Sequence, residues 1–206
     1  MKLNLKFVNK ISKSITYNEI IFIKEKKLKN NHLKSLEKSI FSSKLFNELS
    51  FLKKDYNNRG YIFVNCINSK LSLDFEKLGS KLFEFLKNNK IENSVISETS
   101  NKLTSIQLEK ILHGLQLKSY DFSIYKTDRK NDTDYNLFLV GSNLKKSNIL
   151  RNKLDAILKG VFLARDLVSE PGNILHPDEY ARRIVKLRKF GLKVTVYDQK
   201  KLKKLG

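Results

Sequence analysis

The chain has 206 residues, 40% of them hydrophobic, with 13 Phe, 8 Tyr, 2 Pro and 8 Gly, which is typical of a globular protein and unlike a low-complexity chain. Its 41 Lys and Arg outnumber its 21 Asp and Glu, and the net charge of +20 favours polyanionic partners. A single cysteine, Cys66, excludes an internal disulfide, and no apolar run approaches the roughly 20 residues that cross a bilayer. We therefore expect a protein of the reducing cytoplasm.

Strand and helix patterns alternate from the amino terminus. Apolar and polar residues alternate over 3–7, which predicts a half-buried strand, and the apolar run EIIFI at 19–23 predicts a more fully buried one. Helical spacing follows over 34–49, and turn residues at 57–60 precede YIFVNCI, which predicts an inner strand with a buried Cys66. The apolar positions of that first helix are Leu36, Ile40, Phe41, Leu45 and Leu49.

The same alternation continues through the middle of the chain. Residues 74–87 and 104–120 have apolar residues at helical spacing, whereas 94–97 and 135–141 predict strands. Strands that alternate with helices of ten or more residues indicate a mainly parallel sheet with helices on its faces. The sequence therefore predicts an α/β fold.

The longest helical pattern, at 147–168, has apolar residues on more than one side. A helix buried in this way is expected to bridge two bodies, so we place the domain boundary here. After a break at 170–173, Pro177 begins another helix, which ends at Gly191; the strand pattern LKVTVY and a helix capped by Asp198 follow. A single strand with its helices opens an α/β layer rather than completing one, so this second domain is expected to be truncated.

The search for catalytic or metal-binding residues finds no assembled site. His32, His113 and His176 are isolated from one another and match no HExxH or Cys/His spacing. Asp166 and Glu170 lie four residues apart at a helix end, where salt bridges or solvation are expected rather than acid–base chemistry. Glycine-rich phosphate loops of the usual kinds are also absent from the sequence.

Basic residues are concentrated in the last third of the chain, where 143–206 contains 16 basic and 6 acidic residues. This density is compatible with a non-catalytic nucleic-acid-binding module, although AT-rich codon usage would also enrich lysine. One helix has a basic face, and we interpret it as a solvated surface because zinc ligands and helix-turn-helix spacing are missing. Its basic residues are Arg182, Arg183, Lys186, Arg188 and Lys189.

The stretch ARDLVSEPGNILHPDEYARRIVKLRKFGLKVTVYDQKKLKKLG, residues 164–206, resembles the leucyl aminopeptidase family, also called cytosol aminopeptidases. In that family, RDL and N-x-P-x-N precede a proline-started helix, a V-x-V strand and K-x-L-G. Ser169 and Glu170 depart from this pattern, and His176 stands where the family often has Thr. A second segment, HGLQLKSYDFSIYKTDRK at 113–130, is similar to the G-x-x-L-x-S-Y-x-F-x-x-Y-K of the family's N-terminal domain.

The resemblance implies a macro-like N-terminal domain and an exopeptidase that removes N-terminal residues, leucine among them, with two divalent metals, Mn or Zn. It also implies a hexamer. The family's metal ligands and catalytic residues lie in its C-terminal domain, at positions after Gly206, so the resemblance assigns no catalytic, cofactor-binding or metal-binding residue to this chain.

We therefore expect a macro-like α/β domain at 1–142, a linker helix at 143–169 and the opening helix, strand and helix of a truncated catalytic domain at 170–206. The chain alone is expected to be inactive and to serve assembly or regulation, with no membrane partner. Besides the nucleic-acid module, for which non-specific DNA binding is the simplest form, ADP-ribose binding is an alternative. The dispersed glycines disfavour ADP-ribose, because a diphosphate needs close backbone approach.

Overall fold

The computed structural model describes residues 2–12, 14–28, 31–44, 46, 51–99, 103–127, 133–141 and 149–206. By its internal contacts the chain divides into two units, Met1–Lys159 and Gly160–Gly206. The division falls inside the long helix at which a domain boundary is expected. The three ranges proposed as domains and linker stay a prediction.

The first unit contains a six-stranded sheet in the order β1-β6-β5-β2-β4-β3. All neighbours pair in parallel except β3 and β4, which confirms the predicted α/β class and mainly parallel sheet. The strands are β1 Lys2–Val8, β2 Asn18–Ile23, β3 Phe51–Tyr56, β4 Arg59–Asn65, β5 Asn93–Ser97 and β6 Asp134–Val140.

The antiparallel hairpin of β3 and β4 was only half predicted. Asn57 and Asn58 form its two-residue turn with φ values of 48° and 59°, a left-handed conformation that asparagine tolerates and that matches the twist of a hairpin. The sequence pattern predicts this turn and β4 but not β3. Because β3 is an edge strand, it tolerates the polar run Lys53, Lys54 and Asp55, which hides the strand pattern.

Two helices, α2 Ser72–Asn88 and α3 Ser105–Lys118, cover one face of the sheet. The Asp74 carboxylate accepts hydrogen bonds from the backbone N–H groups of Lys70 and Leu71 at the start of α2. A capping box of Thr104 and Gln107 begins α3. Both helices agree with their predicted ranges, and they share one buried apolar cluster with the sheet.

A 3-10 helix, Asn31–Leu36, and α1, Glu37–Phe41, lie against the opposite face. In β2, Ile20 and Phe22 belong to the first cluster, whereas Ile21 and Ile23 belong to the second. Burial on both faces explains why this strand is continuously apolar. The helix predicted at 34–49 is interrupted at 42–43, and residues 44 and 46 are again helical; its positions Leu45 and Leu49 lie outside the described residues.

The long helix is α4 Ile149–Ser169, followed by α5 Pro177–Val185, a second 3-10 helix at Lys186–Phe190 and α6 Gln199–Leu205. Residues 192–197, predicted as a strand, form no strand in the described chain. A strand needs the N–H and C=O groups of a neighbour, and the described part of the second unit supplies no partner strand. The Val194 carbonyl instead accepts hydrogen bonds from the Arg188 guanidinium at 3.1 and 2.6 Å.

None of the helices in the described ranges is both long enough and apolar enough to cross a membrane.

Candidate functional site

The residues considered first as possible ligands or nucleophiles do not assemble into a metal centre. Within the described ranges, no group of three or more His, Cys, Asp and Glu residues is arranged to hold a metal ion. The backbone of His32 belongs to the first 3-10 helix, His113 lies in α3, and His176 occupies the N-cap position of α5 without a side-chain capping hydrogen bond. The three histidines thus lie on three different elements.

Cys66 is 1% exposed, as the sequence predicts. Burial raises the pKa of its thiol to about 12, so the thiol stays protonated at neutral pH. A thiolate is the form that attacks substrates or binds metals. This cysteine therefore contributes to the apolar core.

A buried ion pair joins α3 to the first turn of α4. Arg151 donates hydrogen bonds from Nε and Nη2 to one carboxylate oxygen of Glu109, at 2.9 and 2.5 Å, and its guanidinium lies 4.4 Å from the ring centroid of Phe7. The Arg151 and Glu109 side chains are 13% and 5% exposed. Sequence reasoning missed the pair, although the signal was a glutamate beside Leu108 on an otherwise apolar helix face.

Beside this ion pair lies a cavity of about 190 Å³, which we call the His113 cavity. It is lined by residues of β1, α3 and the first turns of α4, all within the first unit. Its lining residues are Leu5, Phe7, Glu109, Leu112, His113, Gln116, Arg151, Leu154 and Asp155.

His113 is 5% exposed, and its Nδ1 atom is buried without a hydrogen-bond partner. Burial lowers the pKa of His113 below its ordinary value of 6.5; the carboxylates of Glu76 and Asp155 oppose this shift, and Lys110 adds to it. The imidazole is therefore neutral at pH 7. The structure places His113 in the interior rather than at the surface, and the unpaired nitrogen is a feature that sequence spacing does not reveal.

A larger groove of about 670 Å³ is lined by residues from the carboxyl ends of β1, β5 and β6 and from the amino ends of β2 and β4. Open α/β sheets often bind ligands outside the carboxyl ends of their strands, and these ends line only part of this groove. Its charged lining residues include Lys10, Glu19 and Arg59, and Tyr17 adds an aromatic ring. Of its described lining residues, one is a glycine, Gly60. ADP-ribose binding stays an untested alternative.

The second unit has an ion-pair network between the end of α4 and α5. Arg183 donates from Nη1 to Glu170 at 2.9 Å and from Nε to Glu179 at 2.8 Å, and Arg182 also binds Glu179. These hydrogen bonds, from Arg182 and then Arg183, lower the pKa of Glu179 to about 2. Of the two states expected for Glu170, a salt bridge or solvation, the structure has a salt bridge, and its partner is Arg183. Two arginines of the basic face are thereby paired with carboxylates.

No family model matches the chain. The chain is nevertheless similar to curated proteins named "Probable cytosol aminopeptidase". The relative from Nitrobacter hamburgensis is 32% identical over 139 residues, which cover 65% of this chain and 28% of that protein. The relative from Phytoplasma mali is 36% identical over 109 residues, covering 50% of this chain and 22% of that protein. The chain thus spans less than a third of the length of these relatives.

Solved structures agree with the fold. A tomato leucine aminopeptidase variant matches with a TM-score of 0.68 and 17% identity, over 99% of this chain and 46% of that one. The bottromycin maturation enzyme BotP, in complex with Mn, matches with a TM-score of 0.63 and 13% identity, over 93% of this chain and 40% of that one. At such identities the structural matches establish only the α/β fold. The relationship to the aminopeptidases rests on the sequence similarity.

Proposed function

We propose that this chain, which belongs to the leucyl aminopeptidase family, is the N-terminal portion of a dimetal aminopeptidase that releases N-terminal amino acids, leucine among them, from peptides. The similarity to cytosol aminopeptidases carries the proposal. This chain aligns with less than a third of the length of its curated relatives. The activity, substrates and assembly proposed here are therefore those of the complete enzyme.

The family enzyme needs two divalent cations, Mn or Zn. The described residues do not fit them, because they contain no group of three or more His, Cys, Asp and Glu residues arranged for a metal. We therefore assign no catalytic step to these residues. We propose instead that the chain alone is inactive and serves assembly or regulation of the enzyme, with its sheet and helices as a macro-like domain.

Hydrolysis of leucine p-nitroanilide by the purified chain tests this proposal. The assay is run with Mn²⁺ and with Zn²⁺ and includes a complete leucyl aminopeptidase as a positive control. We expect no release of nitroaniline above the uncatalysed rate under conditions in which the control is active. Robust turnover by the pure chain would contradict the proposal that the chain alone is inactive.

We further propose that the complete protein is a cytoplasmic homohexamer. Light scattering on the complete protein should give the mass of six subunits, and a stable monomer would contradict the hexamer. The comparisons lend no support to the alternative of a nucleic-acid-binding module.

A further inference from the structure

The His113 cavity combines an apolar wall with a polar end. Leu5, Phe7, Leu112 and Leu154 supply its apolar side chains. Engineered apolar cavities of about 150 Å³ bind benzene, so a cavity of about 190 Å³ has room for a body of about six non-hydrogen atoms. The size therefore suits a small organic molecule.

The charges around the cavity do not cancel. Glu109 and Arg151 neutralise one another through two hydrogen bonds. Asp155 is half-buried and has no hydrogen bond or ion pair to another residue of the described ranges. The remaining titratable lining residue, His113, is neutral at pH 7 because burial lowers its pKa. The cavity thus carries a net negative charge, which favours a cation.

His113 adds an unmet hydrogen-bonding demand at the same place. The residue is 5% exposed and its Nδ1 has no partner in the described structure, and a buried polar atom without a partner is costly. Asp155 lines the same cavity, and its negative charge opposes the lowering of the His113 pKa. The charged groups that face His113 from the neighbouring elements are Glu76 on α2, Lys110 on α3 and Asp155 on α4, and Glu76 and Lys110 pair at 3.3 Å.

We propose that the His113 cavity binds a small organic ammonium ion, whose nitrogen binds beside Asp155 and the His113 ring while its apolar body packs against the leucines and Phe7. An ammonium group supplies N–H donors to a carboxylate and to an imidazole nitrogen. A metal ion suits the place less well, since the described residues form no metal-binding group. The inference does not depend on the proposed aminopeptidase function, because binding to this chain is its only readout.

The test compares isopentylammonium with isopentanol, a neutral molecule of nearly the same shape, by NMR titration of the full chain at pH 7. We expect saturable shifts of the methyl signals of Leu112 and Leu154 and of the His113 ring signals with the amine. A dissociation constant on the order of 1 mM is reasonable for six non-hydrogen atoms. The alcohol should bind about tenfold more weakly, because it lacks a charge-assisted hydrogen bond.

Asp155→Asn removes the charge with little change of shape, and it should weaken amine binding about tenfold. Asp134→Asn is the matched control, since Asp134 is an exposed carboxylate of the first unit outside the cavity lining, and it should leave the affinity unchanged. Absence of saturation, equal affinity for amine and alcohol, or an unaffected Asp155→Asn variant would each overturn the proposal. The comparison of amine with alcohol is made on the unmodified chain, so it tests the proposal even if the Asp155→Asn variant misfolds.

Discussion

Arg151 and Glu109 lie 42 positions apart in the sequence, yet the guanidinium of one donates two hydrogen bonds to a single carboxylate oxygen of the other. Both side chains are largely withdrawn from water. Charges in such surroundings lose their hydration, and each depends on the other for compensation. Loss of either side chain is therefore expected to destabilise the contact between α3 and α4.

Arg151→Met should lower the free energy of unfolding by about 3–5 kcal/mol, because Glu109 keeps a buried charge without its guanidinium partner. The double variant Glu109→Leu with Arg151→Met should lose less, since neither charge remains. Urea unfolding measures both changes. Lys118→Met is the control: its exposed pair with Glu84 spans 3.6 Å, and its loss should cost under about 1 kcal/mol. Equal losses from the two single variants would refute the predicted difference.

Glycine at the crossing of α2 and α3 should also resist substitution. A Cβ at Gly79 would overlap the backbone carbonyl of Ile111, and a Cβ at Gly114 would overlap that of Glu76. Either change to alanine should destabilise the fold by about 1–3 kcal/mol through overpacking.

Gly160→Ala is the matched substitution for the two glycine variants. Gly160 lies within α4, and nothing lies within 4 Å of its Cβ position. There the change should stabilise by about 0.5–1 kcal/mol, since alanine is the better helix former. Thermal unfolding of the three variants tests the contrast, and similar shifts in Tm for all three would contradict close helix packing at Gly79 and Gly114.

The neutral His113 should make stability depend on pH. Because burial lowers its folded-state pKa below 6.5, the unfolded chain binds more protons between that lowered pKa and its ordinary pKa. Its contribution is therefore fully present above about pH 6.5 and is lost as the pH falls below that value. The free energy of unfolding should decrease from pH 7 to pH 5, and less so in His113→Gln. Parallel profiles of the two proteins would show that His113 has no part in this dependence.

Glu179 should remain charged in acid. Hydrogen bonds from Arg182 and Arg183 lower its pKa from 4.5 to about 2, so its stabilising contribution is present above about pH 4.5 and is lost as the pH falls toward 2. NMR titration of the Glu179 carboxyl carbon gives the midpoint directly. Arg183→Gln should move this midpoint upward, because it removes a donor to Glu179, whereas Lys193→Gln, which removes an exposed positive charge of the same unit, should not. A midpoint near 4.5 in the unmodified chain would contradict the network.

Elements whose apolar spacing is set by burial could be predicted from the sequence, and elements that depend on a neighbour could not. β2 is apolar throughout because both its faces are covered, and α2 and α3 follow helical spacing because each buries one side. β3 has no clear strand pattern in the sequence, since an edge strand accommodates charged residues. Residues 192–197 have the composition of a strand but no partner in the described second unit, and strand formation requires one.

In the candidate site, too, features set by the local sequence could be predicted, and features that require distant elements to meet could not. The burial of Cys66 follows from the strand around it, whereas the partner of Glu170, Arg183, lies 13 positions away on the next helix, so the sequence left a salt bridge and solvation equally open. The meeting of Glu109, Arg151 and Phe7 involves three separate elements, so no local spacing encodes it. Nor does sequence reveal that a histidine on a helical stripe will have a buried nitrogen without a partner.

The central proposal is that this chain is the N-terminal portion of an aminopeptidase whose two metals are held by residues that the chain does not supply. Equilibrium dialysis of the pure chain against Mn²⁺, followed by elemental analysis of metal per polypeptide, tests that claim most directly. The account predicts no stoichiometric metal on the chain, whereas two tightly bound Mn²⁺ ions per chain would contradict it.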